Sequence, residues 1–310
     1  MEQTLSRAAR EWKRANQHGE GETEIGEAKM RIRPPGGLMR YVLGLVLSLA
    51  LSVSVASVDG LKIHSTTSGT GSKTVILVHG YTCDETTWSE QVPPLAKEYR
   101  VITLDLPGHG KSDSPQDGKF SMDLFARSIE AVRAETKAER VVLVGHSMGT
   151  PVVLRYAHLY PEHTSALVFV DGLMPLPPAQ AAALANAGAA MAGETGRAAR
   201  EVMVRSFFVA GTTPEVRTKV LTMMLGAPEA TAVGAMNATR EPAGQTTDMP
   251  MVPILGIYAG PSRLASAQAV HASFPAVEYT EIPGTGHFLM LEKPEEFNRI
   301  LLAFLAKQNY

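Results

Sequence analysis

The sequence predicts an α/β protein built on a mostly parallel sheet with helices on both faces. Short, β-branched apolar runs recur beyond residue 56, and amphipathic helical patterns separate several of them. Runs that are apolar throughout are typical of strands buried on both faces, as in parallel sheets. The predicted strands lie at residues 74–78, 101–104, 141–144, 166–170, 252–258 and 277–282.

Helices between these strands are predicted from caps and apolar stripes. Ser121 suits the N-cap of a helix that carries Leu124 and Phe125. The last helix begins near Pro294, and its apolar side chains follow the i, i+3, i+4, i+7, i+8 spacing of one helical face. These side chains are Phe297, Ile300, Leu301, Phe304 and Leu305.

One long stretch, between Val170 and Val252, contains no predicted strand. It holds alanine-rich and amphipathic segments, including a helix that Thr213 and Pro214 open and Gly226 ends. The stretch is too long for a single crossover connection. Residues 175–248 are therefore predicted to form a helical cap inserted into a core of residues 58–174 and 249–310; ordinary crossover helices are the alternative.

Composition restricts the classes of function. The 310 residues include 29 basic and 31 acidic ones, a formal net charge of −2, which gives no electrostatic basis for nucleic-acid binding. The one cysteine, Cys83, excludes an intramolecular disulfide and a zinc site made of several cysteines. No dinucleotide fingerprint occurs, and the P-loop-like run 108–112 has Asp105 where that motif needs glycine. We therefore expect no cofactor and no metal.

The N-terminus has the features of a leader. Residues 1–38 are polar and without apolar periodicity, which indicates disorder or an incorrectly assigned start. Arg40 precedes an uncharged apolar run at 41–58 that ends in small residues, a pattern typical of a secretory signal peptide cleaved after Ala56. Residues 39–57 are thus predicted to be a signal peptide or N-terminal anchor of an exported, periplasmic or secreted protein. Membrane contact is expected only through this segment if it stays uncleaved.

A hairpin is the competing interpretation of the same segment. Asp59-Gly60 is a strong two-residue hairpin signal, so residues 53–58 could pair with residues 61–66. Cleavage after Ala56 would remove most of that first strand.

A nucleophilic serine is indicated by Gly145-His146-Ser147-Met148-Gly149. This G-x-S-x-G run follows a predicted strand and precedes a helical pattern. A tight strand-to-helix turn lifts the serine hydroxyl above the sheet edge, and its glycines avoid side-chain clashes. Ser147 is therefore the predicted nucleophile.

A serine needs a base, and His287 is the predicted one because its loop directly follows the last strand. The other histidines after Ser147 lie near a helix end or in a surface helix. The developing oxyanion needs two backbone donors. We predict the amides of Met148 and of Tyr81, the latter in the loop after strand 74–78, with His79 hydrogen-bonding locally to shape that loop.

The motifs taken together resemble those of the α/β-hydrolase superfamily. The resemblance covers residues 58–308 and rests on His79-Gly80, the run 105–112, the run 145–149 and Gly286-His287-Phe288, in that order. The run 79–84 is also similar to a bacterial subgroup of exported or uncharacterised hydrolases. The resemblance implies structural roles for Asp105 and His109.

The expected acid is missing from its usual place in that family. Residues 259–263, after the predicted seventh strand, include no carboxylate. Some family members carry the acid after the sixth strand instead, where this sequence has Asp171. Asp171 is therefore the predicted triad acid; capping of the cap-domain entrance, a Ser–His dyad or an inactive protein are the alternatives.

These residues predict a serine ester hydrolase. Its partner is a small-molecule ester. Five apolar cap residues are predicted to line an acyl pocket, which suggests a small or medium, largely apolar substrate; they are Met203, Phe207, Phe208, Met223 and Met224. Plain packing of the cap on the core is the alternative. A lactone, thioester, amide or carbon–carbon bond hydrolase, a perhydrolase and a non-catalytic ligand-binding homologue remain open, because the fold alone does not fix the substrate.

Overall fold

A computed structural model of the chain describes residues 51–174, 179, 187–241 and 250–308. The predicted leader up to residue 50 and parts of the predicted cap lie outside the described residues. Eight strands form one sheet. They are β1 (Leu51–Val58), β2 (Leu61–Ser68), β3 (Thr74–Val78), β4 (Arg100–Leu104), β5 (Val141–His146), β6 (Thr164–Val170), β7 (Ile254–Gly260) and β8 (Glu278–Pro283).

The sheet is mostly parallel, as the sequence predicts. Its strand order is β1-β2-β4-β3-β5-β6-β7-β8, with antiparallel pairing only of β1 with β2 and of β2 with β4. All residues of the central strands β3 and β5 are buried. The apolar runs of the sequence reflect this position, because both faces of a central parallel strand are covered by other elements.

The first two strands form the hairpin that competes with the signal peptide. Val58 pairs with Leu61 at the turn. Asp59 and Gly60 have φ values of 50° and 81°, the left-handed conformation that a tight two-residue turn requires. The predicted leader boundary at residue 57 divides β1, and cleavage after Ala56 would leave only its last two residues.

The α-helices begin and end close to the predicted signals. The Ser121 hydroxyl accepts a hydrogen bond from the amide of Leu124, 3.0 Å away, and the last helix buries Phe297 and Leu301. The helices are α1 (Val92–Leu95), α2 (Met122–Glu135), α3 (Gly149–Leu159), α4 (Gly193–Ser206), α5 (Pro214–Gly226), α6 (Glu229–Ala238), α7 (Ala267–Ser273), α8 (Leu289–Glu292) and α9 (Pro294–Lys307).

The described part of the predicted cap, residues 175–248, is helical. It contains α4, α5 and α6, together with a short 3₁₀ helix at Ala187–Met191, between β6 and β7. As predicted, α5 begins after Thr213, whose side chain accepts from the amide of Val216, and ends at Gly226. Within the described ranges, none of the helices has the length and apolar character needed to cross a membrane.

Candidate active site

The predicted nucleophile occupies a strained turn between β5 and α3. Ser147 has a φ of 54°, a left-handed conformation that costs energy for a residue with a side chain. A Cβ on Gly145 would lie 2.3 Å from the carbonyl oxygen of Gly149, and one on Gly149 would lie 2.5 Å from that of Val78. Only glycine fits at these two positions, so the two glycines of the motif are a steric requirement of this turn.

Backbone hydrogen bonds tie the Ser147 turn to the segment after β6. The amide of Ser147 donates to the carbonyl of Val170 over 3.0 Å, and the amide of Leu173 donates to the carbonyl of Ser147 over 3.2 Å. Asp171 lies between these two partners. The turn that carries the serine and the turn that carries the predicted acid are therefore fixed to each other.

The structure brings His287 and Asp171 into direct contact. Nδ1 of His287 lies 2.6 Å from Oδ2 of Asp171, and only 4% and 2% of the two side chains are exposed. Because an ionised carboxylate can only accept, the histidine proton resides on Nδ1, and Nε2 is left as a basic nitrogen.

The Asp171 carboxylate is stabilised in its charged form. Burial raises its pKa, but the hydrogen bonds from His287, Ser262 and the amide of Ala259 outweigh burial and hold the pKa below the usual value. Asp171 itself has a φ of 39°, and its amide donates to the carbonyl of Ile257 in β7. The neighbouring strand thus supplies both backbone anchors of this residue.

The loop after β3 is shaped by His79. Nδ1 of His79 donates to the carbonyl of Gly80 over 2.9 Å, as does the amide of Cys83 over 3.2 Å, while the amide of Leu106 donates to Nε2 of His79. Carbonyl and N–H point in opposite directions across a trans peptide, so the amide of Tyr81 faces away from these donors. A Cβ on Gly80 would lie 2.9 Å from Cβ of Ser147, which places the loop against the serine.

The second predicted oxyanion donor lies at the start of α3. Met148 directly precedes the helix and is fully buried. Its amide belongs to the group that lacks an intrahelical partner, and the helix dipole adds partial positive charge there. This end of α3 is therefore suited to an anionic oxygen.

His146 holds the backbone of His287. Its Nε2 donates to the carbonyl of His287 over 3.0 Å, and the two ring centroids lie 4.5 Å apart. Burial lowers the pKa of His146 well below its usual value, so this ring is neutral. The imidazole that lies beside His287 therefore carries no positive charge.

The cap contacts the same loop from the other side. The amide of His287 donates to the carbonyl of Phe207 over 3.1 Å, and the two rings lie 4.4 Å apart. Glu292 links the two parts again, because its carboxylate accepts from the amide of Gly286 at 2.7 Å and from the hydroxyl of Thr212 at 2.9 Å. The loop that carries Gly286 and His287 is thus hydrogen-bonded to the cap directly and through Glu292.

A cavity of about 330 Å³ lies at Ser147, between the core and the cap. Its walls are formed by Tyr81, Ser147, Leu173, Met203, Ser206, Phe207, Met224, Met236, Thr239, Arg240, Arg263 and Leu264. Three of the cap residues predicted as an acyl pocket are among them. The other two pack elsewhere: Phe208 lies beneath Arg217, and Met223 accepts from Thr87 through its sulfur.

A polar cluster near the loop after β3 is structural. Asp105, 1% exposed, accepts from the amides of Glu85 and Lys111 at 2.7 and 2.8 Å. Burial raises the pKa of Glu85, but hydrogen bonds, first from Lys111 and also from His64, lower it to about 2. Ligand atoms of His64, Glu85 and Asp105 lie within 4.8 Å of one another, and the Lys111 ammonium lies 2.9 Å from the Glu85 carboxylate and 3.3 Å from Nε2 of His64.

Cys83 is buried in the hydrophobic core. Burial raises the pKa of its thiol, which therefore stays protonated and is no nucleophile.

Sequence reasoning missed the contacts that His146, Phe207 and Glu292 make with the His287 loop. His146 lies inside the serine motif, and its position there was the only available signal. The contacts of Phe207 and Glu292 depend on how the cap docks, which no local pattern encodes.

Comparison with known proteins places the chain among related sequences and folds. Residues 73–200 match a family model described as the alpha/beta hydrolase fold. A structure of a thermophilic esterase from Thermogutta terrifontis, solved with malate bound, superposes with a TM-score of 0.75 at 25% identity, covering 84% of this chain and 100% of that one.

Two curated relatives differ in the chemistry that their names describe. The dihydrolipoyllysine-residue acetyltransferase component of the acetoin cleaving system of Cupriavidus necator is 27% identical over 83% of this chain and 70% of its own length. The 2-hydroxy-6-oxononadienedioate/2-hydroxy-6-oxononatrienedioate hydrolase of Escherichia coli is 38% identical over 116 residues, 36% of this chain and 40% of its own length.

Proposed function

Because the chain belongs to the α/β-hydrolase superfamily, we propose that it is a serine hydrolase that cleaves a carboxylic ester of a small or medium, largely apolar substrate through an acyl-enzyme intermediate. The nucleophile is Ser147, the base is His287 and the orienting acid is Asp171. The observation that carries the proposal is the 2.6 Å contact of Nδ1 of His287 with the buried Asp171 carboxylate, tied by backbone bonds to the Ser147 turn.

The reaction follows from these roles in two halves. The Ser147 oxygen attacks the ester carbonyl carbon while its proton passes to Nε2 of His287, which then protonates the departing alkoxide to give the alcohol and acyl-Ser147. Water, deprotonated by the same nitrogen, attacks the acyl carbon. Collapse of that intermediate returns the proton to Ser147 and releases the carboxylic acid.

Each remaining group supports one part of this cycle. The amides of Tyr81 and Met148 stabilise the oxyanion of both tetrahedral intermediates. Asp171 holds the imidazole tautomer and offsets the positive charge of the imidazolium. His146 is neutral, so its ring beside His287 does not repel the imidazolium that forms there.

The direct test is hydrolysis of a 4-nitrophenyl ester by Ser147→Ala. We expect the activity to fall to the background rate and labelling of the protein by a fluorophosphonate probe to disappear, because both require the serine oxygen. Ser114→Ala, at an exposed position of another loop, is the matched control and should retain both. Retained ester hydrolysis in Ser147→Ala would overturn the assignment.

A second candidate is hydrolysis of a carbon–carbon bond beside a ketone. The Escherichia coli relative, 38% identical over 116 residues, is named for a hydroxy-oxo-dienedioate substrate, whose name includes a ketone and no ester. The same serine, histidine and oxyanion donors serve such a reaction. Measuring kcat/KM for 2-hydroxy-6-oxononadienedioate and for 4-nitrophenyl esters separates the two candidate reactions. A higher kcat/KM for the dienedioate would favour carbon–carbon bond hydrolysis, and a higher value for the esters would favour ester hydrolysis.

A further inference from the structure

The cavity at Ser147 carries positive charge on apolar walls. Arg240 and Arg263 line it, and no aspartate or glutamate belongs to its described lining. Apolar side chains such as Leu173, Met203 and Met236 make up much of the remaining surface. A cavity for a wholly apolar substrate would not need two guanidinium groups.

Arg240 is half-buried and follows the C-terminus of α6. Its Nε is buried and has no hydrogen-bond partner within the described part of the chain. Among the described residues it forms no ion pair, and burial lowers its pKa without any opposing contribution from a carboxylate. A buried N–H without an acceptor is costly unless a ligand supplies one.

A third arginine, Arg200, adds positive charge near the same cavity. It is 5% exposed, its Nε and Nη1 have no hydrogen-bond partner, and it makes no ion pair with a described residue. Its charge acts on Tyr81, a cavity residue, against the rise in phenol pKa that burial causes. Arg200 precedes Met203 by three residues on α4, and Phe207 is the C-cap that directly follows this helix, so the i, i+3, i+7 spacing places Arg200 on the side of α4 that Met203 and Phe207 present to the cavity.

We propose that the substrate carries a carboxylate, bound by Arg240 with Arg263, at the end of the apolar portion that the cavity walls enclose. The inference rests on the proposed ester hydrolysis and names its substrate class: a monoester of a dicarboxylic acid, or another ester with a free carboxylate on the acyl side. The planar fork of a guanidinium pairs with a carboxylate through two parallel hydrogen bonds. A cavity of about 330 Å³ is at the small end of small-molecule sites, which favours this compact anion.

The test uses two esters that differ only in the terminal group. Mono-4-nitrophenyl adipate ends in a carboxylate, and 4-nitrophenyl hexanoate ends in a methyl group after the same number of carbons. We expect the wild-type protein to show a higher kcat/KM for the adipate ester. In Arg240→Gln the ratio of the two kcat/KM values should fall about 10- to 100-fold, the effect of losing a hydrogen bond to a charged group.

Two further variants separate charge from packing. Arg240→Lys retains the charge and should keep part of the preference. Arg205→Gln removes an exposed arginine of the same cap, paired with Glu201 on the outer side of α4, and should leave both rates unchanged. No preference in the wild-type protein, or an equal loss for both esters in Arg240→Gln, would overturn the inference.

Calorimetric titration with adipate gives a readout that does not depend on turnover. Wild-type protein should bind adipate, and Arg240→Gln should bind it about 10- to 100-fold more weakly. If neither ester is hydrolysed but adipate binds through Arg240, the proposed ester hydrolysis fails and with it the ester substrate class, whereas the carboxylate site at Arg240 stands. If esters are hydrolysed through Ser147 but adipate does not bind, the inference fails alone.

Discussion

The carbonyl oxygen of Phe207 accepts a hydrogen bond from the backbone amide of His287 over 3.1 Å. Phe207 belongs to the cap, whereas His287 belongs to the core loop after β8. A Cβ on Gly286 would lie 2.2 Å from the same oxygen, so the approach of the two backbones depends on that glycine. The position of the proposed base is therefore set by the docking of the cap as well as by the sheet.

The hydrogen bond from Thr212 of the cap to Glu292, which also binds the amide of Gly286, gives the first prediction. Thr212→Val removes the hydroxyl that donates to Glu292 and accepts from the amide of Val209, and it leaves the bond from the amide of Gly286 to Glu292 in place. We expect kcat for a good ester to fall about 3- to 10-fold, since one hydrogen bond contributes about 0.5–1.5 kcal/mol to holding the loop. Thr218→Val, at an exposed position of α5, is the control. An unchanged kcat in Thr212→Val would show that this contact does not position His287.

Apart from the nucleophile and the base, the proposed acid Asp171 is the residue whose replacement should lower kcat most. Asp171→Asn keeps the shape but can donate to the histidine ring, which favours the wrong tautomer. We expect kcat to fall by a factor on the order of 10⁴, as the same change does in a serine protease. The exposed Asp117→Asn should behave as wild type. A wild-type rate in Asp171→Asn would show that Asp171 is not the orienting acid, which leaves either another carboxylate or a Ser–His dyad.

The oxyanion loop can be tested at the glycine that touches the serine. Gly80→Ala adds a Cβ 2.9 Å from Cβ of Ser147 and 3.1 Å from Nδ1 of His146, so the loop must shift. Loss of one oxyanion donor costs about 10²- to 10³-fold in kcat, and we expect a decrease of that size with little change in KM. Gly226→Ala, whose Cβ meets no atom within 4 Å, is the control. If kcat survives in Gly80→Ala, the amide of Tyr81 is not a donor.

Much of this architecture could be predicted because local rules dictate it. The turn at Ser147 requires glycine at 145 and 149, and the hairpin requires left-handed residues at 59 and 60, so both features are visible in the sequence. The buried strands are visible for the same reason, because a central parallel strand must be apolar on both faces.

The charge in the cavity could not be predicted in this way. Arg240 and Arg263 are far apart in sequence, and a single arginine in a helical cap usually lies in solvent. Only the docking of the cap brings them to one cavity with Ser147. The apolar composition of the cap predicts an apolar substrate, but composition does not show which of the few charged side chains, such as Arg240, face the cavity.

Acid stability should depend on Glu85. The pKa of this carboxyl is about 2 in the folded protein, below its usual value, so its ionisation stabilises the fold at neutral pH. The contribution is present above the unfolded pKa of about 4.3 and is lost as the pH falls toward 2. We expect Glu85→Gln to lower Tm at pH 7 and to show a smaller further decrease between pH 5 and pH 2.5 than the wild type does.

Thermal unfolding followed by circular dichroism at several pH values measures this difference. The exposed Glu194→Gln on α4 is the control and should follow the wild-type curve. Parallel acid profiles for Glu85→Gln and wild type would exclude Glu85 as the source, and Asp171, whose pKa is also lowered, would be the next candidate.

The last prediction concerns the N-terminal hairpin and the proposed export. Ala56 is buried in β1, and Asp59 at the turn forms a bidentate ion pair with Arg127 of α2, with both distances 2.6 Å. A chain that begins at Ser57, as cleavage after Ala56 would produce, keeps the ion pair but loses six of the eight residues of the strand. We expect its Tm to be about 3–8 °C below that of a chain beginning at Leu51, because the edge of β2 is uncovered. Mass spectrometry of the N-terminus of exported protein then decides between the two forms. A mature chain that begins at Ser57 and shows no loss of Tm would contradict the stabilising role given to β1. Retention of residues 51–56 would exclude cleavage after Ala56.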